Sequence, residues 1–291
     1  MIMTIVMAVQ KSPPPPLPLQ TPPLVLLLDM DNTIIGNSVL QVCRYELSNT
    51  MHHKVPMKLM MQDLGQGLLR PNFESFIKTV AARYPNIEIF IFTASEAKWA
   101  RYVIMCIEHV IQHKFNRPIF ARHHCQPESV FLKKSINKVL PAVYKALRSK
   151  YNLSSPHDLD KQVVLVDNNT VIMEEDINRF VKCPGYERFV VTDILAAFPQ
   201  QLIQSHASRI AAVLARYGIT SKDSLADTTR MMNEYYKTLT RLTKASQNQN
   251  QYNDNFWFEM ERIFKTHEIR RFNKKTIAYI QSKVLQHSAF H

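Results

Sequence analysis

Cysteine is sparse and unpaired in this 291-residue chain: Cys43, Cys106, Cys125 and Cys183 stand alone, with no C-x-x-C among them. That pattern excludes a zinc knuckle and a disulfide framework, and it points to a reducing, intracellular setting, cytoplasm or nucleus. Long apolar runs are missing as well. The opening MIMTIVMAV is about nine residues, short of a bilayer span by roughly a factor of two. It also lacks a positively charged n-region and a small-residue cleavage site, so it reads as a loosely held tail. No membrane partner is expected. His109 and His113 have helical i, i+4 spacing, but no Glu completes a zinc motif around them. Glycine is scarce, at 5 residues. Acidic residues are in the minority, 24 against 36 Lys and Arg, for a formal charge of +12. The excess is uneven: residues 201–291 hold 14 basic and 7 acidic side chains, a net +7. Such a balance favours an acidic partner or nucleic acid without choosing between them.

What is present is ordered. Seven of the 16 prolines cluster in KSPPPPLPLQTPP (11–23), a polyproline linker that separates an N-terminal stub from a body beginning at Leu24. From there, continuous apolar strands alternate with amphipathic helices. LVLLLDM, IEIFIFT and QVVLVDN read as buried strands, RPIFAR as a short strand and RFVVTD as an edge strand. PNFESFIKTVAARY, SEAKWARYVIMCIEHVIQH and SINKVLPAVYKALRSKY read as helices, the second capped by Ser95 and packing through Trp99, Tyr102 and Met105. The alternation predicts an α/β fold, a doubly wound, mostly parallel sheet. After Asp193 only helical patterns follow. Three parts are therefore expected: a stub and linker over 1–23, an α/β domain over 24–193, and an all-helical appendage over 194–291.

The stretch LVLLLDMDNT ends a buried strand in two aspartates, Asp29 and Asp31. An ionised carboxylate buried without a partner is costly, so this pair must meet a cation, hydrogen-bond donors or solvent. In a doubly wound sheet, ligands bind at the carboxyl ends of the strands. Two further strands end there in polar residues, one in Thr93 and one in Asp167 and Asn168, and Lys133 or Lys134 opens a helix between them.

That order, D-x-D-x-T, then Thr, then Lys, then Asp, resembles the four-motif signature of haloacid-dehalogenase-like phosphotransferases. RPNFESFI, FTASEAKWA, IFARHHC, VFLKK and VVLVDNN are further similar to the small CTD phosphatase and NLI-interacting-factor family, over about residues 24–192. That family has members in eukaryotes and in large DNA viruses, where the setting would be the host cell. The resemblance implies Asp29 as the nucleophile that forms an aspartyl-phosphate and Asp31 as the general acid and base. It implies Mg²⁺ held by Asp29, the Asp31 carbonyl and Asn168. Asp167, a further candidate metal-site residue, is expected rather to position the lysine or a metal-bound water. Thr93 would bind a phosphate oxygen. Lys133 is preferred to Lys134 as the phosphate-neutralising cation because F-L-K matches the family's Y-V-K, and Arg122 matches a substrate-facing arginine.

Residues 34–69 replace the family's flap with a partly helical pattern, so its peptide preference does not carry over. The insert is too short for a large helical cap, and an open site suits a macromolecule. The resemblance thus implies a Mg²⁺-dependent phosphoserine/phosphothreonine protein phosphatase. Its alternatives are a nucleic-acid-end phosphatase, favoured by the basic tail, and a silent phosphoprotein-binding module.

Overall fold

The computed structural model describes residues 22–128, 131–248 and 254–286, so the stub and most of the polyproline linker lie outside the described residues. Strand β1 (Leu24–Leu28) is five aliphatic residues without a polar interruption, a composition suited to burial on both faces. It sits inside a parallel four-stranded sheet of order β2-β1-β5-β6, with β2 at Ile87–Ile91, β5 at Val163–Asp167 and β6 at Phe180–Lys182. Side chains alternate across it. Leu24, Leu26 and Leu28 join Val164 and Val166 in one core, and Val25 and Leu27 join Val163 and Leu165 in the other. The first face is covered by α3 (Phe73–Arg83) and α4 (Ala97–Ile111), the second by α5 (Ile136–Tyr151).

Three local expectations are corrected. RPIFAR forms no strand; it contributes the single bridge Phe92–Phe120. The edge strand is β6, not RFVVTD, which among the described residues forms the isolated bridge Asn37–Phe189. Met105 is exposed rather than packed, whereas Trp99 is buried. A short antiparallel hairpin, β3 (Gln126–Glu128) with β4 (Phe131–Lys133), was not legible in the sequence.

The insert over 34–69 folds as α1 (Val39–Thr50), α2 (Met57–Asp63) and one wide turn, Leu64–Leu68. Helix α1 builds a third core with α6 (Gln200–Ser205), α7 (Ala207–Arg216) and α8 (Thr228–Asn248). The buried ion pair Arg44–Asp63, 2.7 Å, ties α1 to α2. The last two helices, α9 (Phe256–Thr266) and α10 (Lys274–Gln286), pack elsewhere. Their apolar faces enter the core that contains β1 and α3. The helices beyond residue 194 are therefore shared between two cores. Among the described residues no helix is long and apolar enough to cross a membrane.

Candidate active site

The chain leaves strand geometry directly after Asp29. The carbonyl of Met30 accepts the N–H groups of Ile34 and Ile35, and Asn32 takes a left-handed conformation at φ 57°. This turn brings Asp31 back beside the strand end, so both carboxylates face the same region at the carboxyl edge of the sheet.

Asp29, Lys134 and Asp167 form a buried row. Lys134 Nζ donates to Asp29 Oδ1 at 2.5 Å and to Asp167 Oδ2 at 2.7 Å, with both carboxylates and the lysine 4 % exposed or less. Burial pushes the Asp29 carboxyl well above the usual carboxylate range; the Asp167 and Asp31 charges push the same way, and Lys134 only partly opposes them. Burial would lower the Lys134 ammonium, but its two carboxylate partners more than offset this and keep it charged.

The lysine in this row is Lys134, which corrects the expectation of Lys133. Lys133 ends β4 opposite Gln126 and pairs instead with Glu128 across the hairpin. Successive side chains of an extended chain point to opposite sides. Leu132 packs toward the second core, so Lys134, two residues on, shares its side and Lys133 does not. That alternation was present in the sequence and is a better guide than the F-L-K match. Ser135 then caps α5 by accepting the Lys138 N–H.

Asp31 is held by hydroxyls. Ser95 Oγ donates to its Oδ2 at 2.7 Å and Thr93 Oγ1 at 3.3 Å, while Thr93 Oγ1 accepts the Ser95 N–H. Burial raises the Asp31 carboxyl above its ordinary range despite these donors. Ser95 is thus not the helix cap the sequence suggested: α4 starts at Ala97, after Glu96, and the serine side chain serves Asp31.

Thr33 is a further residue that sequence reasoning passed over, although it is the T of D-x-D-x-T. Its Oγ1 lies 3.0 Å from Asp29 Oδ2 and 3.2 Å from Asn168 Oδ1, and it accepts the Asn168 N–H at 3.1 Å. One hydroxyl proton faces two acceptor oxygens there. Three carboxylates, Asp29, Asp31 and Asp167, also surround a single ammonium. Surplus oxygen lone pairs and surplus negative charge are the donor chemistry that a hard divalent cation takes. Asp29 and Asn168 fit that role. Asp167 is otherwise engaged, one oxygen on Lys134 and the other accepting the Asn169 N–H at 2.7 Å. No three His, Cys, Asp or Glu side chains among the described residues form a metal cluster by themselves. The fit relies on the Asn168 amide and waters, as Mg²⁺ tolerates.

Arg122 stands at the rim. It is exposed, its Nε donates to the Ala94 carbonyl at 2.9 Å, and it pairs with Glu96 at 3.0 Å. Its own N–H donates to the carbonyl of Ser95, the residue whose hydroxyl holds Asp31.

A strand-end Asp pair, a buried lysine carried between strands and an Asp-Asn step on the neighbouring strand define a haloacid-dehalogenase-type phosphatase site. The chain belongs to the NLI interacting factor-like phosphatase family, whose model matches residues 24–195. No curated protein matches it significantly. Among solved structures, it is similar to that of Fcp1, described as an essential RNA polymerase II CTD phosphatase. The two are 14 % identical, the match covers 88 % of this chain and 70 % of the other, and the TM-score is 0.39.

Proposed function

We propose that the protein is a Mg²⁺-dependent phosphomonoester hydrolase acting on phosphoserine or phosphothreonine in proteins, in an intracellular setting. The observation that carries the reading is the buried Asp29–Lys134–Asp167 row with Asp31 held beside it by Ser95 and Thr93. Asp29 reacts as the carboxylate, the form that the Lys134 ammonium beside it favours against the burial that opposes it. Asp29 attacks phosphorus, the bond to the leaving oxygen breaks, and an aspartyl-phosphate results. Asp31, whose carboxyl burial favours in the protonated form, gives its proton to the leaving oxygen and later takes one from the attacking water. Lys134 balances the charge that accumulates on Asp29 and the phosphoryl oxygens. Thr93, whose hydroxyl lies 3.3 Å from Asp31 Oδ2, is assigned a phosphate oxygen. Asp29, the Asp31 carbonyl and Asn168 would hold Mg²⁺, which supplies charge neutralisation to the transferring phosphoryl group when bound. Asp167 keeps Lys134 in place. Arg122 is assigned to the substrate at the rim, where its exposure leaves it within reach of a bulky ligand.

The test is phosphate release from an aryl phosphate with and without Mg²⁺. Metal-dependent turnover is expected; a purified, folded protein with none would refute the enzyme reading and leave a silent binding module. Substrate class is read by comparing phosphoserine peptides, phosphotyrosine peptides and 3′- or 5′-phosphorylated oligonucleotides at equal concentration. Preference for the phosphoserine peptide is expected. Preference for an oligonucleotide would transfer the assignment to nucleic-acid ends, with the basic C-terminal helices as the binding surface.

A further inference from the structure

Helix α9 lies outside the stretch matched by the family model, yet it reaches the back of the catalytic turn. The indole Nε1 of Trp257 donates to the carbonyl of Thr33 at 3.1 Å. Arg70 Nη1 donates to the same carbonyl at 3.3 Å, and Arg70 Nε lies 3.0 Å from each oxygen of Asp254. Trp257 is fully buried and Arg70 is 1 % exposed, so no water replaces these partners. Arg70 is further enclosed by the Phe256 ring, 4.9 Å from its guanidinium carbon, and Trp257 by Phe73 and Phe76. The carbonyl they hold belongs to the residue whose hydroxyl touches Asp29 and receives the Asn168 N–H.

We propose that Trp257 and Asp254 are positioning residues of the active site, holding the Thr33 carbonyl, directly and through Arg70, so that its hydroxyl fixes Asp29 against Asn168. The proposal deepens the phosphatase reading and, for its kinetic arm, rests on it. A peptide group held at its carbonyl by two buried donors has one orientation. Without the indole N–H, the Thr33 peptide can rotate, and the side chain attached to it moves with it. A nucleophile displaced by about 1 Å loses on the order of a hundredfold in rate, so partial loosening expresses itself in kcat rather than in substrate affinity.

The experiment compares Trp257→Phe, which keeps an aromatic ring and removes the donor, with Phe264→Leu. Phe264 lies on the same helix, buried against Phe76 and Tyr84, and among the described residues its ring contacts are with Phe76, Tyr84 and Phe272 rather than Trp257. For Trp257→Phe, kcat on an aryl phosphate should fall about fivefold to tenfold, the worth of one buried hydrogen bond, with KM unchanged. Hydrogen–deuterium exchange at the Asn168 amide, which donates to Thr33 Oγ1, should accelerate by a similar factor. Phe264→Leu should lower the melting temperature and leave both readouts at wild-type values. If Trp257→Phe fails to fold, Asp254→Asn, which weakens the hold on Arg70, is read in the same way. Wild-type kcat and wild-type exchange in a folded Trp257→Phe overturn the proposal, as does an equal effect of Phe264→Leu at matched stability. Wild-type protein that turns over no phosphate would sink the phosphatase reading alone, because exchange at Asn168 still reports on the positioning.

Discussion

At the scale of single residues, two neighbouring lysines have opposite environments. Lys134 is buried between Asp29 and Asp167, whereas Lys133 is half-buried beside Glu128, which is itself exposed. Lys134→Met should abolish turnover of an aryl phosphate to within about a thousandth of wild type, the loss typical when one charge-stabilising donor is removed. Lys133→Met should stay within about fivefold, since an ion pair this open to solvent contributes at most about 1 kcal/mol. Steady-state rates of the two purified variants check this, and the reverse ranking would restore the assignment to Lys133. Ser95 invites a finer test. It is the shortest donor to Asp31, and Asp31 matters most where the leaving group needs a proton. Ser95→Ala should therefore slow an alkyl phosphate, a poor leaving group, by about ten- to a hundredfold. A nitrophenyl phosphate, whose leaving oxygen scarcely needs protonation, should be slowed much less. Equal slowing of both substrates would show that Ser95 does not act through the acid.

At the scale of elements, the periodic patterns were legible and the short contacts were not. β1 and β5 follow from unbroken aliphatic runs, β2 from an apolar run broken only by Glu88, and α3, α4 and α5 from their apolar stripes. Asp29, Asp31, Thr93, Asp167 and Asn168 come together because those runs end at the same edge of the sheet. The RPIFAR and RFVVTD segments look like strands but form isolated bridges rather than ladders among the described residues, and a strand exists by repeated pairing. Lys134 was passed over because local alignment outweighed side-chain alternation. Thr33 and Ser95 were passed over because hydroxyls are common at turns and helix starts, so their type alone carries little information.

The joint between α3 and α9 carries its own prediction. Glu261 on α9 is largely buried; it accepts from Thr79 Oγ1 at 2.8 Å and pairs with Lys265 at 2.6 Å. Burial pushes its carboxyl up, but Lys265 and the Ser75 and Thr79 hydroxyls outweigh that and hold it below the usual range. A depressed folded-state value means stability that is present above about pH 4.5, the ordinary glutamate range, and lost as the pH falls through the folded value. Glu261→Gln should thus melt lower than wild type at neutral pH, with the gap closing as the solution is acidified below that range. Melting curves from pH 3 to pH 7 check the sign; a gap that stays constant with pH would remove Glu261 from the account.

At the scale of the whole molecule, the C-terminal helices divide their work. Helices α6–α8 close a third core around α1, which makes them part of the lobe formed by the 34–69 insert. Helices α9 and α10 close the first core, placing Phe256, Trp257, Met260, Ile263 and Phe264 with Phe73, Phe76, Ile77 and Val80 of α3. An appendage that only recruited a partner would leave turnover of a small aryl phosphate intact when residues 200–291 were removed. The packing predicts otherwise even for a smaller cut. Ending the chain at residue 253 removes α9 and α10 and bares the α3 face beneath them. Each large apolar side chain so exposed or lost is worth about 1.5–3 kcal/mol. Several of them together exceed the total of about 5–15 kcal/mol that holds an ordinary domain folded. The shortened protein should lack a cooperative melting transition, accumulate as aggregate on expression, and turn over neither small nor macromolecular phosphates. Circular dichroism melts and soluble yield check this. A chain ending at 253 that melts cooperatively near the temperature of the full protein would show that the sheet and α3 are stable without α9 and α10.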